Sequence, residues 1–129
     1  MGTAATVTLT ATDFEQTVTS NDIVLVDFWA EWCGPCRRFG PVFEAVAEAN
    51  PDVVFGKVDT EEETGLSAAA GITSIPTLMA FRDGILVFAQ PGALPQPALE
   101  DLLGQVRALD MDQVRAAVDA EANGSATGS

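Results

Sequence analysis

The sequence predicts an α/β fold in which helices cover both faces of a mixed five-stranded sheet. Three observations carry that expectation. Two nearly continuous apolar runs, residues 23–30 and 53–59, have the length and β-branched content of strands buried on both faces. A stretch of helical periodicity separates them, which implies a parallel crossover. Later, Asp83-Gly84 stands between two strand-like segments and signals a tight antiparallel hairpin.

The elements follow in order. Val7-Thr8-Leu9-Thr10 alternates apolar and polar residues and reads as a short edge strand. Thr12 and Glu15 stand at capping-box spacing and open a helix to about Val18, which Ser20-Asn21-Asp22 breaks. After the strand at 23–30, Phe39, Val42, Phe43, Val46 and Ala47 recur at helical spacing between Cys33 and Asn50. Pro41 removes one donor inside that helix and is expected to kink it. Glu61-Glu62-Glu63 then places negative charge at the start of a helix through about Ala70, where the dipole favours it. Residues 77–82 and 85–90 flank the hairpin turn, and Pro91-Gly92 closes the second of them. Leu99, Leu102, Leu103, Val106 and Leu109 mark an amphipathic helix entered through Pro95 and Pro97. The domain is expected over residues 1–110. Met111, Val114 and Val118 then allow one more short helix, and residues 121–129, rich in Ala, Gly, Ser and Thr, read as a disordered tail.

Composition bounds the function classes. A chain of 129 residues with 47% hydrophobic content can bury a core without metal or disulfide staples. The net charge of −13 argues against nucleic acid or an anionic membrane surface as partner, although many acidic proteins carry such charge only for solubility. The N-terminus has no basic and apolar leader, and no run approaches the ~18 apolar residues of a membrane span, so a soluble, cytoplasmic single domain is expected. A monomer is expected as well. Gly2 and Thr6 match a myristoylation pattern too short to outweigh an ordinary solvated start.

Cys33 and Cys36 are the only cysteines. Cys33 falls just after a central strand and at the start of a helix, where unpaired N–H groups and the helix dipole favour a thiolate. Cys36, three residues on, lies on the same helical face and within disulfide reach. Pro35 suits the first turn, and Gly34 keeps no side chain between the cysteines and an approaching backbone. Cys33, nearer the helix tip, is expected to attack a substrate disulfide, and Cys36 to resolve the mixed disulfide. A zinc site shares this spacing, but the chain has no histidine and no further cysteine, so only a dimer could complete one. No metal and no cofactor are expected.

The segment Val26-Asp27-Phe28-Trp29-Ala30-Glu31-Trp32-Cys33-Gly34-Pro35-Cys36, with Ser74-Ile75-Pro76-Thr77 and with Asp83-Gly84 followed by Gly92-Ala93, closely resembles the thioredoxin family. The resemblance covers roughly residues 7–109 and implies the thioredoxin fold, protein-disulfide reduction, protein disulfides as substrates and a thioredoxin reductase as electron donor. It also implies that Asp27 acts as acid/base for Cys36, and the physics agrees, because a carboxyl inside an apolar strand should have a raised pKa. The bland reading is a structural aspartate held by a partner, for which Lys57 on the neighbouring strand is a candidate, and both can hold; Lys57 also matches the family's partner lysine. Pro76, ordinarily a mere strand-edge residue, is implied to follow a cis bond and to leave the Ile75 backbone free to pair with substrate. Trp32, Gly34, Pro35, Ile75, Pro76, Gly92 and Ala93 would form the substrate-binding surface, with core packing the other reading for Trp32. Arg37-Arg38 departs from the family pattern and reads as a solvated face or as a device for choosing acidic partners. A second function class also stays open: a binding module whose role does not need its redox chemistry.

Overall fold

A computed structural model describes residues 5–127; Gly2, and with it the myristoylation pattern, lies outside them. The strands are β1 (Val7–Thr8), β2 (Ile23–Trp29), β3 (Val54–Asp59), β4 (Thr77–Arg82) and β5 (Ile85–Pro91). The helices are α1 (Phe14–Ser20), α2 (Gly34–Ala49), α3 (Thr64–Ala69), α4 (Gln96–Arg107) and α5 (Met111–Thr127). The sheet order is β1-β3-β2-β4-β5, with β1, β3 and β2 parallel and β4 and β5 antiparallel, so the mixed five-stranded sheet is as the sequence predicts.

Strand β2 lies at the centre, and its alternation assigns residues to two cores. Ile23 and Leu25 pack with Phe39 and Phe43 of α2 and with Leu99 and Leu103 of α4. Val24, Val26 and Phe28 pack on the other face with Val18 of α1 and, at its margin, Leu66 of α3. Gly56 of β3 lies under Leu9, whose side chain a Cβ at that position would overlap. The hairpin turn places both Asp83 (φ 54°) and Gly84 (φ 80°) in the left-handed region that a two-residue loop of this kind requires.

Several local expectations change. Strand β1 is two residues long, although Leu9 still donates to the Lys57 carbonyl at 2.9 Å. The capping box of Thr12 and Glu15 does not form: Asp13 holds the N-cap position, and its carboxylate accepts instead from the Thr10 N–H at 2.7 Å. Helix α3 begins after the acidic triplet, because Asp59 takes those amides. Its carbonyl accepts from Glu62 N and Glu63 N and its carboxylate from Glu61 N, which folds the segment into a turn. Pro41 does lie inside α2, as the sequence predicts. As expected, α4 is entered through Pro95 at its N-cap and Pro97 in its first turn. Helix α5 runs to Thr127, past the start of the expected tail; Ala116, Ala117, Ala120 and Ala122 are strong helix formers, and a reading from tail composition overlooks them. None of these helices is long and apolar enough to cross a membrane.

Candidate active site

The site forms where β2 gives way to α2. Ala30 accepts from the Cys33 N–H at 3.2 Å, which turns the chain, and Cys33 becomes the N-cap of α2. Its Sγ, rather than the usual hydroxyl or carboxylate oxygen, receives the Cys36 backbone N–H at 3.2 Å. Pro35 occupies the first turn, where no intrahelical acceptor exists for an N–H, and Gly34 precedes it. Cys33 and Cys36 are joined in a disulfide with their Cα atoms 5.2 Å apart. The two residues are almost equally buried, at 4% and 3% exposure, so their asymmetry does not lie in burial. It lies in the Cys36 N–H aimed at Cys33 Sγ and in the helix dipole behind it, both of which stabilise charge on Cys33 sulfur.

A second chain segment closes over the pair. The Ile75–Pro76 bond is cis, and Ile75 packs against Ala30, Cys33 and Cys36. Its carbonyl oxygen lies 3.8 Å from Cys33 Sγ. Gly92, at φ 109°, donates its N–H to the Pro76 carbonyl at 2.7 Å and so joins this segment. Ala93 follows in an exposed loop and is not among the residues packed on the disulfide. Trp32 is 67% exposed, which removes core packing as its role. Trp29 instead packs at the margin of the disulfide cluster.

Asp27 is fully buried, at 0% exposure, on the same side of β2 as Ile23 and Leu25, the side that packs on α2. Neither carboxyl oxygen has a hydrogen-bond partner among the described residues. Burial pushes its pKa up from the ordinary 3.8 to about 7, with the Lys57 charge opposing that rise. Lys57 stands beside it in register on β3, yet the two make no ion pair. The ammonium lies over the Trp29 ring instead, 4.9 Å from its centroid. Reading Asp27 as an aspartate held directly by Lys57 is therefore set aside: the lysine acts on it through its field.

The sequence reading missed two neighbours of this lysine. Trp29 serves as its cation–π platform, and Gly40 of α2 lies alongside, its Cβ position 3.8 Å from Nζ, an ordinary contact distance. The register that pairs Asp27 with Lys57 and Trp29 with Asp59 brings the first of them near, and it exists only in the folded sheet. Arg37 and Arg38 are both exposed, and the Arg38 guanidinium reaches to 3.7 Å from the Cβ position of Gly34.

Comparison with known proteins bears on this geometry. Residues 5–105 match the family model described as Thioredoxin. A Streptomyces coelicolor protein that carries the name thioredoxin 2 is 66% identical over 114 residues, covering 88% of this chain and 85% of the relative. The thioredoxin of Alicyclobacillus acidocaldarius is 45% identical over 79% of this chain and 98% of its own. Among solved structures, an N21Q mutant thioredoxin from Halobacterium salinarum superposes with a TM-score of 0.76 at 34% identity, covering 84% of this chain and 97% of that one. A cysteine pair at the tip of α2, a sheet of the same architecture and a match over most of its length lead to one conclusion: the chain belongs to the thioredoxin family, protein-disulfide oxidoreductases that work by dithiol–disulfide exchange.

Proposed function

We propose that this chain is a monomeric, cytoplasmic reductase of protein disulfides in which Cys33 is the nucleophile and Cys36 the resolving thiol. The observation that carries the assignment is the Cys36 N–H directed at Cys33 Sγ, at the positive end of α2. The Cys33 thiolate attacks one sulfur of a substrate disulfide. A new S–S bond forms as the substrate bond breaks, and the departing thiolate takes a proton from solvent. Asp27 then accepts the Cys36 proton, relayed by solvent, and the Cys36 thiolate attacks Cys33 Sγ. The second substrate sulfur leaves and is protonated in turn. The substrate gains two electrons and two protons, and the dithiol becomes the Cys33–Cys36 disulfide. A thioredoxin reductase returns the two electrons.

Asp27 suits its task because its pKa of about 7 lets it exchange a proton near neutral pH. Lys57 keeps that value from rising further. Trp32, Gly34, Pro35, Ile75, Pro76, Gly92 and Ala93 receive the substrate, with the Ile75 backbone pairing to its extended chain. Residues 1–110 form the catalytic domain, and α5 with the residues after it forms an extension.

Insulin reduction tests the assignment. With a thioredoxin reductase present, the chain should precipitate insulin catalytically, and Cys33→Ser should lose at least about a thousandfold in rate. Cys36→Ser should accumulate mixed disulfides with substrate, separable on a non-reducing gel. Turnover by Cys33→Ser, or no turnover by the parent chain, would overturn the assignment.

A further inference from the structure

The chain carries six cationic side chains against 19 carboxylates. Arg82, Arg107 and Arg115 form ion pairs, and Lys57 lies over the Trp29 ring. Arg37 and Arg38 form no ion pair among the described residues, and both are exposed. They are also the two residues that follow Cys36 directly. Arg38 stands four residues after Gly34, so the two share a face of α2, and a helical side chain reaches back towards the N-terminus. Its Nη1 lies 3.7 Å from where a Gly34 Cβ would stand, which lays the guanidinium against the first turn. Gly34 adjoins Cys33, so this charge is no more than about 9 Å from the Cys33 Cα.

A cation at that place is unfavourable for the helix, whose N-terminus already carries partial positive charge. The balance reverses when an anion forms beside it, and Cys33 Sγ becomes that anion once the disulfide is reduced. The carboxylates around Cys33 act in the opposite sense. Glu31, Asp59, Glu61 and Glu62 line one hollow with Trp32, the residue before Cys33, and their charges disfavour a thiolate. Asp27 of β2 adds to them when it is ionised, while Lys57 of β3 offsets part of its charge. Cys36 is the remaining titratable group in contact, and the Ile75 segment that packs on the pair brings no charged side chain. We propose that Arg38 sets the ionisation of Cys33: its guanidinium offsets the field of these carboxylates and keeps the nucleophile a thiolate near neutral pH. Arg38 is thus a positioning residue, which acts through Cys33 and has no need to touch the substrate. This proposal rests on the reading of Cys33 as the nucleophile.

The test follows the reduced full-length chain through the pH dependence of its alkylation by iodoacetamide. Peptide mass analysis reads Cys33 separately from Cys36. A cation favours the thiolate, so its removal raises the midpoint. Arg38→Met should move the Cys33 midpoint up by about half a pH unit at about 20 mM salt, and by no more than about 0.2 near 500 mM. Arg38→Lys keeps the charge and should restore at least half of the shift. Arg115→Gln, which removes a cation beside Asp83 at the hairpin turn, should move the midpoint by less than about 0.1. An unmoved midpoint in Arg38→Met, a shift that Arg38→Lys does not restore, a shift indifferent to salt, or an equal shift in Arg115→Gln would overturn the proposal. The measurement needs neither substrate nor reductase. Failure of the disulfide-exchange reading is therefore seen apart from it, as no insulin reduction by a chain whose Cys33 still titrates.

Discussion

The two ends of the central sheet treat charge in opposite ways. At the end where β2 starts and β4 finishes, the charged groups largely find partners. Arg107 donates to both carboxylate oxygens of Asp52, at 2.7 and 3.1 Å, and to Asn50 Oδ1 at 3.0 Å. Arg82 donates to the Val106 and Arg107 carbonyls at the end of α4, and Arg115 of α5 reaches Asp83 at 3.3 Å. At the other end, Asp27 is buried with no hydrogen-bond partner, and its lysine neighbour lies over an indole instead. The first end ties the last two helices to the sheet. The second keeps a carboxyl in an unfavourable place, which brings its pKa to about 7.

Asp27→Asn should break this contrast most strongly. The carboxyl has a higher pKa folded than unfolded, so the unfolded chain releases its proton first as the pH rises. The folded state therefore loses stability from about pH 4 upwards, and the loss is complete above about pH 7. Replacing the carboxyl by a neutral amide removes that penalty. Urea unfolding should find the variant more stable at pH 8, by up to an order of 4 kcal/mol, and no different from the parent on this account below pH 4. The same variant should resolve mixed disulfides about a hundredfold more slowly at neutral pH. A gain in stability that does not depend on pH would mean that the carboxyl is not the cause.

Lys57→Met sharpens the same end. With its opposing charge gone, the Asp27 pKa should rise, and the midpoint of the pH–rate profile for resolution should move up by about one pH unit at most. An unmoved or lowered midpoint would show that Lys57 does not act through its field.

At the far end the effects should be smaller. The hydrogen bond from Arg107 holds the Asp52 carboxyl below the ordinary carboxylate range. A lowered pKa stabilises the folded chain above the unfolded value, and that contribution fades as the pH falls through the folded one. Arg107→Gln should lower Tm by a few degrees at pH 7 and progressively less in acid, measured by calorimetry. Both partners are largely exposed, so solvent screens most of the attraction. Arg115→Gln should leave Tm almost unchanged, because its pairs with Asp83 and Asp112 lie at 3.3 Å on the surface.

Elements whose cause is local were legible. Asp83-Gly84 marks its hairpin because few other residues accept left-handed backbone at both turn positions. Cys33-Gly34-Pro35-Cys36 reads as a redox pair because spacing, helix start and the missing histidine all lie within reach of the eye. The start of α3 was misplaced because Glu61-Glu62-Glu63 suits a helix dipole as well as it suits the turn that Asp59 imposes. The helical course of 121–127 was hidden by a composition that also suits loose tails.

By itself, then, the sequence determined the α/β pattern, the positions of strands and hairpin, and the cysteine pair with its buried aspartate, all properties of neighbouring residues and of periodicity. The tertiary structure alone decided what Lys57 touches, that Gly92 bonds to Pro76, and that four carboxylates line one hollow with Trp32. Those contacts join residues far apart in the chain. They exist only once β3 has taken its register beside β2 and α2 has packed across it, and no local pattern of residue types encodes that placement.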